Sequence, residues 1–264
     1  MPVSADASPF AGAARYYDQF RAPYAPAAID FVVAALGLGE RARALDLGCG
    51  PGTLAIPLSA AVAEVVAVDP DADMIAEGRR LAGAKGRSNI RWLHSRAEDI
   101  SLELGPFRAA TIGQAFHWMD RDAVLRKLSF LIEDGGGLAL VNPGQRRPQE
   151  SWETVANEVV TRFLGPRDRH PGSNPQEPEH EPALRRSEGF SEFTYHEFPA
   201  ALTRDVGSIT GCVYSVSSSA RPRFGADAEA FEAALSEALL SLKPSGVFHE
   251  HTETEVVLAP KKSR

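Results

Sequence analysis

The run Ala44-Leu45-Asp46-Leu47-Gly48-Cys49-Gly50-Pro51-Gly52-Thr53 constrains this chain more than any other stretch. Its first half reads as a buried strand, and the glycines at 48, 50 and 52 read as a tight turn opening into a helix. Glycine has no Cβ, so the backbone bends sharply there and a bulky ligand can come close to it. The spacing is Gly-x-Gly-x-Gly. A dinucleotide fingerprint needs its third glycine one position later, where Thr53 stands, so that a pyrophosphate meets the helix N-terminus. The offset points to a ligand without phosphates, and it argues against a dehydrogenase.

A second element strengthens the first. Glu64-Val65-Val66-Ala67-Val68-Asp69-Pro70 is a β-branched run that ends in a carboxylate, and the gap after Gly52 leaves room for one helix over 54–63. Strand, glycine turn, helix, strand and acid then follow in order. An acid at the end of the second strand can accept both hydroxyls of a ribose. Asp69 also suits a turn before Pro70, although Asp71 is the better N-cap for the next helix. The pattern continues with a strand in Asn89-Ile90-Arg91-Trp92-Leu93-His94 and the acidic loop Ser95-Arg96-Ala97-Glu98-Asp99-Ile100. A fourth strand, Phe107-Arg108-Ala109-Ala110-Thr111-Ile112-Gly113, runs into Gln114-Ala115-Phe116-His117-Trp118-Met119-Asp120. Gly135-Gly136-Gly137 leads into a fifth, Leu138-Ala139-Leu140-Val141-Asn142.

These residues resemble the motifs of class I S-adenosylmethionine-dependent methyltransferases, with the glycine run as motif I. The Gln114–Trp118 stretch is similar to a small-molecule subgroup that includes relatives of trans-aconitate methyltransferases. The resemblance implies an α/β fold: a Rossmann-like, seven-stranded, mostly parallel sheet in the order 3-2-1-4-5-7-6, with helices on both faces. It implies S-adenosyl-L-methionine as cofactor. Asp46, Gly48, Cys49, Gly50 and Gly52 would surround its methionine part. Asp69 would lie at the ribose and Ala97 and Glu98 at the adenine, and Pro70, Met74, Gln114, Ala115 and Phe116 would also bind the cofactor. Tyr17 and Arg21 in Ala14-Arg15-Tyr16-Tyr17-Asp18-Gln19-Phe20-Arg21 would close over it, since an aromatic face suits a sulfonium and an arginine suits a carboxylate.

The implied activity is methyl transfer by in-line displacement onto oxygen, nitrogen or carbon of a small-molecule acceptor, a secondary metabolite or a carboxylate among the options. His117 follows the fourth strand and is the candidate base, with a titration range suited to the task. A carboxylate acceptor would need no base, and lid arginines would then select it. Two alternatives remain open from the residues alone: a non-methylating reaction on the same scaffold, such as a cyclisation, and a non-catalytic protein that binds the cofactor.

Composition narrows the partners. The formal net charge is −7, and the short basic tail Lys261-Lys262-Ser263-Arg264 is the one cluster of cations; Arg146-Arg147 and Arg185-Arg186 are isolated pairs. Phosphate backbones need clustered Lys and Arg, so nucleic acid is disfavoured as a partner. No stretch approaches the roughly 18 apolar residues of a membrane span, which disfavours a membrane partner. Two cysteines and no visible signal peptide point to the reducing cytoplasm. His249-Glu250-His251 places two histidines on one side of a strand without the further ligands a metal needs. The expected state is a monomer or homodimer.

The chain reads as one methyltransferase domain over 1–264 with three additions. Residues 1–40 form a cofactor-covering lead-in. Residues 144–190 and 203–250 are candidate substrate lids, the first with apolar helical spacing over 152–164 and a loop centred on His170-Pro171-Gly172-Ser173-Asn174-Pro175. An insertion after the fifth strand falls at the sheet edge where ligands bind in open α/β folds. Phe193-Thr194-Tyr195-His196-Glu197-Phe198 and Thr254-Glu255-Val256-Val257-Leu258-Ala259 alternate as the last two strands, with a helix over 226–242 between them, and Tyr214 is placed at the substrate pocket by resemblance.

Overall fold

The computed structural model describes residues 14–143, 152–166, 180–190 and 192–262. The His170–Pro175 loop centre and the Arg146-Arg147 pair lie outside them. Seven strands form one sheet in the order β3-β2-β1-β4-β5-β7-β6. In chain order they are β1 (Arg43–Leu47), β2 (Glu64–Asp69), β3 (Ile90–His94), β4 (Phe107–Gly113), β5 (Ile132–Pro143), β6 (Thr194–Asp205) and β7 (Val247–Pro260). β1 pairs in parallel with β2 and β4, β2 with β3, and β4 with β5, whereas β7 runs antiparallel to β5.

The chain falls into two compact units. The sheet unit comprises Tyr24–Gly144, His170–Pro199 and Glu253–Arg264. Its central strands read as continuous apolar runs because helices cover both faces, and Leu45, Leu47, Val66, Val68, Ala110, Ile112, Leu138 and Leu140 are buried in one core. α2 (Pro26–Ala35), α3 (Ala55–Leu58), α4 (Ala72–Ala84), α5 (Arg121–Leu131) and α7 (Glu181–Arg186) belong to this unit. α4 starts at Asp71, whose carboxylate accepts from the Asp73 and Met74 amides at 2.8 and 3.1 Å. α5 starts likewise at Asp120, which caps the Ala123 amide.

The second unit comprises Met1–Pro23, Gln145–Arg169 and Ala200–Thr252. α1 (Ala14–Phe20), α6 (Trp152–Leu164), α8 (Val206–Tyr214) and α9 (Ala228–Leu242) build it around a separate core with Trp152, Val160, Ile209, Phe231 and Phe248. A buried ion pair holds these pieces together. Arg204 on β6 bonds Glu250 on β7 at 2.7 Å, the side chains being 3% and 11% exposed. The Trp152 indole also donates to Glu250 at 2.6 Å, and Arg204 reaches the Phe20 carbonyl at the end of α1 at 2.7 Å.

Several elements differ from the sequence reading. The helix expected over 54–63 is one turn, Ala55–Leu58, followed by turns. The residues after β5, read largely as loop beyond the first helix, include the helix Glu181–Arg186, with proline in its first turn. β6 and β7 run well past the alternating segments that signalled them. Of the three stretches read as additions, residues 14–23 of the lead-in, the helix Trp152–Leu164 and the 203–250 stretch belong to the second unit, whereas residues 24–40 of the lead-in belong to the sheet unit.

Candidate functional site

The site grows from sheet register. Asp46 is the partner of Thr111 across the β1–β4 ladder, so both side chains stand on the same level. The Thr111 hydroxyl donates to Asp46 Oδ1 at 2.8 Å. Asp46 is 1% exposed, and its Oδ2 has no hydrogen-bond partner. Burial pushes its carboxyl up to about 7; the Thr111 hydroxyl and the Ala55 amide act in the opposite direction.

Beyond Asp46 the chain makes the glycine turn. Gly48, Gly50 and Gly52 all adopt positive φ, at 64°, 52° and 86°. Two of them are also tight. A Cβ on Gly48 would lie 2.4 Å from the Ala115 Cβ, and one on Gly52 would lie 2.7 Å from the Trp92 ring. Gly50 differs, because a Cβ there would meet nothing within 4 Å. The turn is therefore packed at both ends and open in the middle. Cys49 is buried within it, and its thiol is raised by that burial.

Asp69 at the end of β2 ties the turn to the next strand. Its Oδ2 accepts from the Gly50 amide at 2.8 Å and its Oδ1 from the Asp71 amide at 2.9 Å. Burial raises its carboxyl above the usual carboxylate range, and the two amides hold it down. Each oxygen keeps a lone pair for another donor. Pro70 next to it is exposed, and Met74 is buried on α4.

After β3 the chain makes a single 3₁₀ turn, Ala97–Asp99, with Ala97 buried. Glu98 accepts from the Asp120 amide at 2.8 Å and pairs with Arg96 at 3.4 Å. Lys127 on α5 clamps the same turn, donating to the Glu98 and Ile100 carbonyls at 2.6 Å each. After β4, Gln114 is the one non-glycine among the described residues with positive φ, at 50°. Gly113 before it leaves room for the Tyr24 hydroxyl, which accepts from the Gln114 side-chain Nε2 at 3.4 Å. A non-glycine held in that region costs energy, and such residues gather at functional sites. Ala115 lies against Gly48, Phe116 is buried, and His117 sits in the 3₁₀ turn Phe116–Trp118. Around Phe116 stand His180, with ring centroids 5.4 Å apart, and the Arg121 guanidinium at 5.9 Å. His180 Nδ1 is buried without a partner; burial first, then Arg121 and His117, lower its pKa to about 4.

The sequence-derived residues thus divide in two. Those from Asp46 to His117 gather on the sheet unit, at the carboxyl ends of β1, β2, β3 and β4. Tyr17, Arg21 and Tyr214 belong to the second unit. There Arg21 lies over the Tyr17 ring at 4.3 Å and donates to the Ser215 hydroxyl at 3.3 Å. Tyr214 is 2% exposed, packs against Tyr16 and Phe231, and donates to Glu232 at 2.9 Å, which places it in that unit's core.

Comparison with known proteins shows the family and the fold. Residues 44–136, from β1 to the start of β5's glycine run, match the family model of a methyltransferase domain. A methyltransferase of Mycobacterium tuberculosis, itself uncharacterized, is 31% identical over 207 residues, 78% of each chain. The chain belongs to the class I S-adenosylmethionine-dependent methyltransferases. A ubiquinone biosynthesis O-methyltransferase of Xanthomonas oryzae is 31% identical over 147 residues, covering 55% of this methyltransferase and 60% of that one. Solved structures share the fold. A protein assigned as a type II methyltransferase from Anaeromyxobacter dehalogenans superposes with a TM-score of 0.61 at 22% identity, covering 92% of this chain and 98% of that one. A methyltransferase from Thiobacillus denitrificans in complex with S-adenosyl-L-homocysteine gives 0.53 at 18%, covering 96% and 99%. No helix among the described residues is long and apolar enough to cross a membrane.

Sequence reading missed Thr111, Tyr24, Lys127, Trp92, Arg121 and His180. Thr111 carried a visible signal, as the one polar residue inside the apolar run 109–112. The others act through contacts that no local pattern announces.

Proposed function

We propose that this methyltransferase acts on a small-molecule acceptor and holds its cofactor in the cradle formed by Asp46, the glycine turn and Asp69. The observation that carries this reading is the lone Asp46 Oδ2. A buried carboxylate oxygen without a donor is costly, and an ammonium group would repay it. Gly50 supplies the second fit, since its missing side chain leaves open space beside the turn. A methionine moiety suits both: its ammonium would pair with Asp46 and its chain would pass Gly50. The remaining lone pairs of Asp69 suit a ribose diol, and the Ala97–Glu98 turn suits the adenine. Bound there, S-adenosylmethionine supplies an activated methyl group.

The chain's own work is then positioning and exclusion of water. Gln114, Ala115 and Phe116 would line the cofactor, with Gln114 fixed by Tyr24 and Ala115 pressed against Gly48. His117 would serve as the base for an acceptor that must lose a proton. His180, kept neutral by burial and by the Arg121 guanidinium, offers a hydrogen bond beside it. Tyr17 and Arg21 are proposed to cover the cofactor, and the 144–190 and 203–250 segments to shape acceptor access. Cys49 and Cys212, neither of them in a disulfide among the described residues, suit a cytoplasmic enzyme.

Incubating the purified chain with methyl-labelled S-adenosylmethionine and a panel of small phenols, amines and carboxylic acids tests the reading. A product heavier by one methylene supports it. A product formed without methyl gain would instead support a cyclisation. Cofactor binding with no product from any acceptor would favour the non-catalytic alternative.

A further inference from the structure

The glycine turn is held from outside as well as by its own strand. Its exit end meets the indole of Trp92, a half-buried residue of the edge strand β3. Pairing register explains how an edge residue reaches the turn. Trp92 is the partner of Ala67 on β2, Ala67 of Asp46 on β1, and Asp46 of Thr111 on β4. Partners across parallel strands share a face, so Trp92 stands on the Asp46 side of the sheet, with the small Ala67 between them in the row.

Two glycines let the ring in. A Cβ on Gly52 would lie 2.7 Å from Trp92 Cη2, and one on Gly78 of α4 would lie 2.5 Å from Cη2 and from Cζ3. The Gly78 Cβ would also come within 3.2 Å of the Pro51 carbonyl carbon. The tip of the indole is thus seated between α4 and the turn, against an apolar cluster of Ile56, Leu81 and Ala82. Gly78 stands in the middle of α4 (Ala72–Ala84), where glycine weakens a helix relative to alanine. The helix itself gains nothing from it. What the missing side chain permits is the close approach of Trp92 and Pro51.

The hydrogen bonds of the turn carry this contact inward. The Gly52 amide donates to the Cys49 carbonyl at 2.9 Å, and the Cys49 amide donates to the Val68 carbonyl at 3.0 Å. Gly50, between them, donates to Asp69 at 2.8 Å. A shift at Gly52 therefore moves the same short segment that borders the open space at Gly50. At the other end Ala115 and Met119 press on Gly48. The turn has a fixed end on each side of its open middle, which is what a preorganised binding loop requires.

We infer that Trp92 is a positioning residue for cofactor binding: the tip of its indole, wedged between Gly78 and Gly52, fixes the glycine turn in the shape that receives the methionine part of the cofactor. This rests on the cofactor site proposed above, and it gives Trp92 no contact with the cofactor itself. A ring that merely filled the core would set stability alone. A ring that sets the turn also controls affinity in the folded protein and the closure of the turn over Cys49, which is 6% exposed.

Trp92→Phe removes the outer ring atoms that reach both glycines and keeps an aromatic residue on β3. Gly78→Ala in the wild-type background drives a Cβ against those same atoms, whereas in W92F it enters the space they leave. Two measurements on the full chain test the inference: calorimetry with S-adenosylhomocysteine, and N-ethylmaleimide labelling of Cys49 read by peptide mass spectrometry, with Cys212 as internal reference. Both are run on the wild type, W92F, G78A and the G78A/W92F double variant, well below their melting temperatures. The expected affinity is about tenfold weaker in W92F and several-fold weaker in G78A, with Cys49 labelled several-fold faster in both. The double variant should recover both readings toward wild type, a coupling that independent sites do not show. If W92F melts early, G78A, with its indole intact, carries the test. Affinity and labelling unchanged in the single variants would overturn the inference, as would a double variant as weak as the two single effects combined. Labelling needs no cofactor. A wild type that binds no S-adenosylhomocysteine, while W92F still speeds labelling, would refute the cofactor site and leave Trp92 as the residue that holds the turn.

Discussion

Replacing Gly48 and Gly50 separately by alanine distinguishes the packed end of the turn from its open middle. Both adopt positive φ, at 64° and 52°, so alanine at either position pays the left-handed penalty of roughly 1–2 kcal/mol. Gly50→Ala should lose little more, because its new Cβ meets nothing within 4 Å. Gly48→Ala drives a Cβ to 2.4 Å from Ala115 and 3.1 Å from Met119. Overpacking of this kind adds about 1–3 kcal/mol, for a total of roughly 2–5 kcal/mol. At about 2–4 °C per kcal/mol for a domain of this size, Gly50→Ala should melt only a few degrees below wild type. Gly48→Ala should melt about 4–20 °C lower. Cofactor binding should rank the other way relative to stability. Gly50→Ala fills the space proposed for the methionine chain and should abolish S-adenosylhomocysteine binding while remaining folded. Thermal melts and calorimetry on the two variants check both halves. Wild-type affinity in Gly50→Ala, or equal melting temperatures for the two variants, would refute the reasoning.

Three further outcomes are expected. The Asp46 carboxyl is raised from 3.8 to about 7 in the native state, so between these values the native state binds a proton that the unfolded chain does not. Stability of the ligand-free protein should therefore fall as pH rises across that window, Asp46→Asn should flatten the fall, and urea melts at pH 5 and pH 8 measure both. Glu250→Ala should cost about 3–5 kcal/mol by leaving Arg204 buried and unpaired, and the R204M/E250M double variant should recover much of that loss in the same denaturation assay. Lys127→Met removes two 2.6 Å hydrogen bonds to the Ala97–Ile100 segment, and calorimetry should show a several-fold weaker S-adenosylhomocysteine affinity with near-native melting.

Much of the sheet unit was legible because its signals are local. A glycine turn after an apolar strand, and a carboxylate closing the next strand, are properties of neighbours in sequence, and Asp46, Gly50 and Asp69 stand out for that reason. The Asp71 cap was readable in the same way. What could not be read depends on register and on packing across the chain. Thr111 matters because it stands level with Asp46 in the β1–β4 ladder, and Gly113 because the Tyr24 ring presses on it. Glu98 looked like a ligand-facing acid, yet its carboxylate also caps the Asp120 amide from twenty-odd residues away. Tyr214 carried the polar and aromatic character of a pocket residue, and only the folded core reveals its bond to Glu232. The lead-in and the later helices gave no sign that they share a core, since each has merely one apolar face and the partner of that face is not written beside it.

The central claim, that Asp69 and the glycine turn hold S-adenosylmethionine, is tested most directly by calorimetric titration of the wild-type chain and of Asp69→Ala with S-adenosylmethionine and S-adenosylhomocysteine. The account predicts saturable binding of both by the wild type and loss of both in a variant that still melts cooperatively. No binding to the wild type, or unchanged binding to the variant, would contradict it.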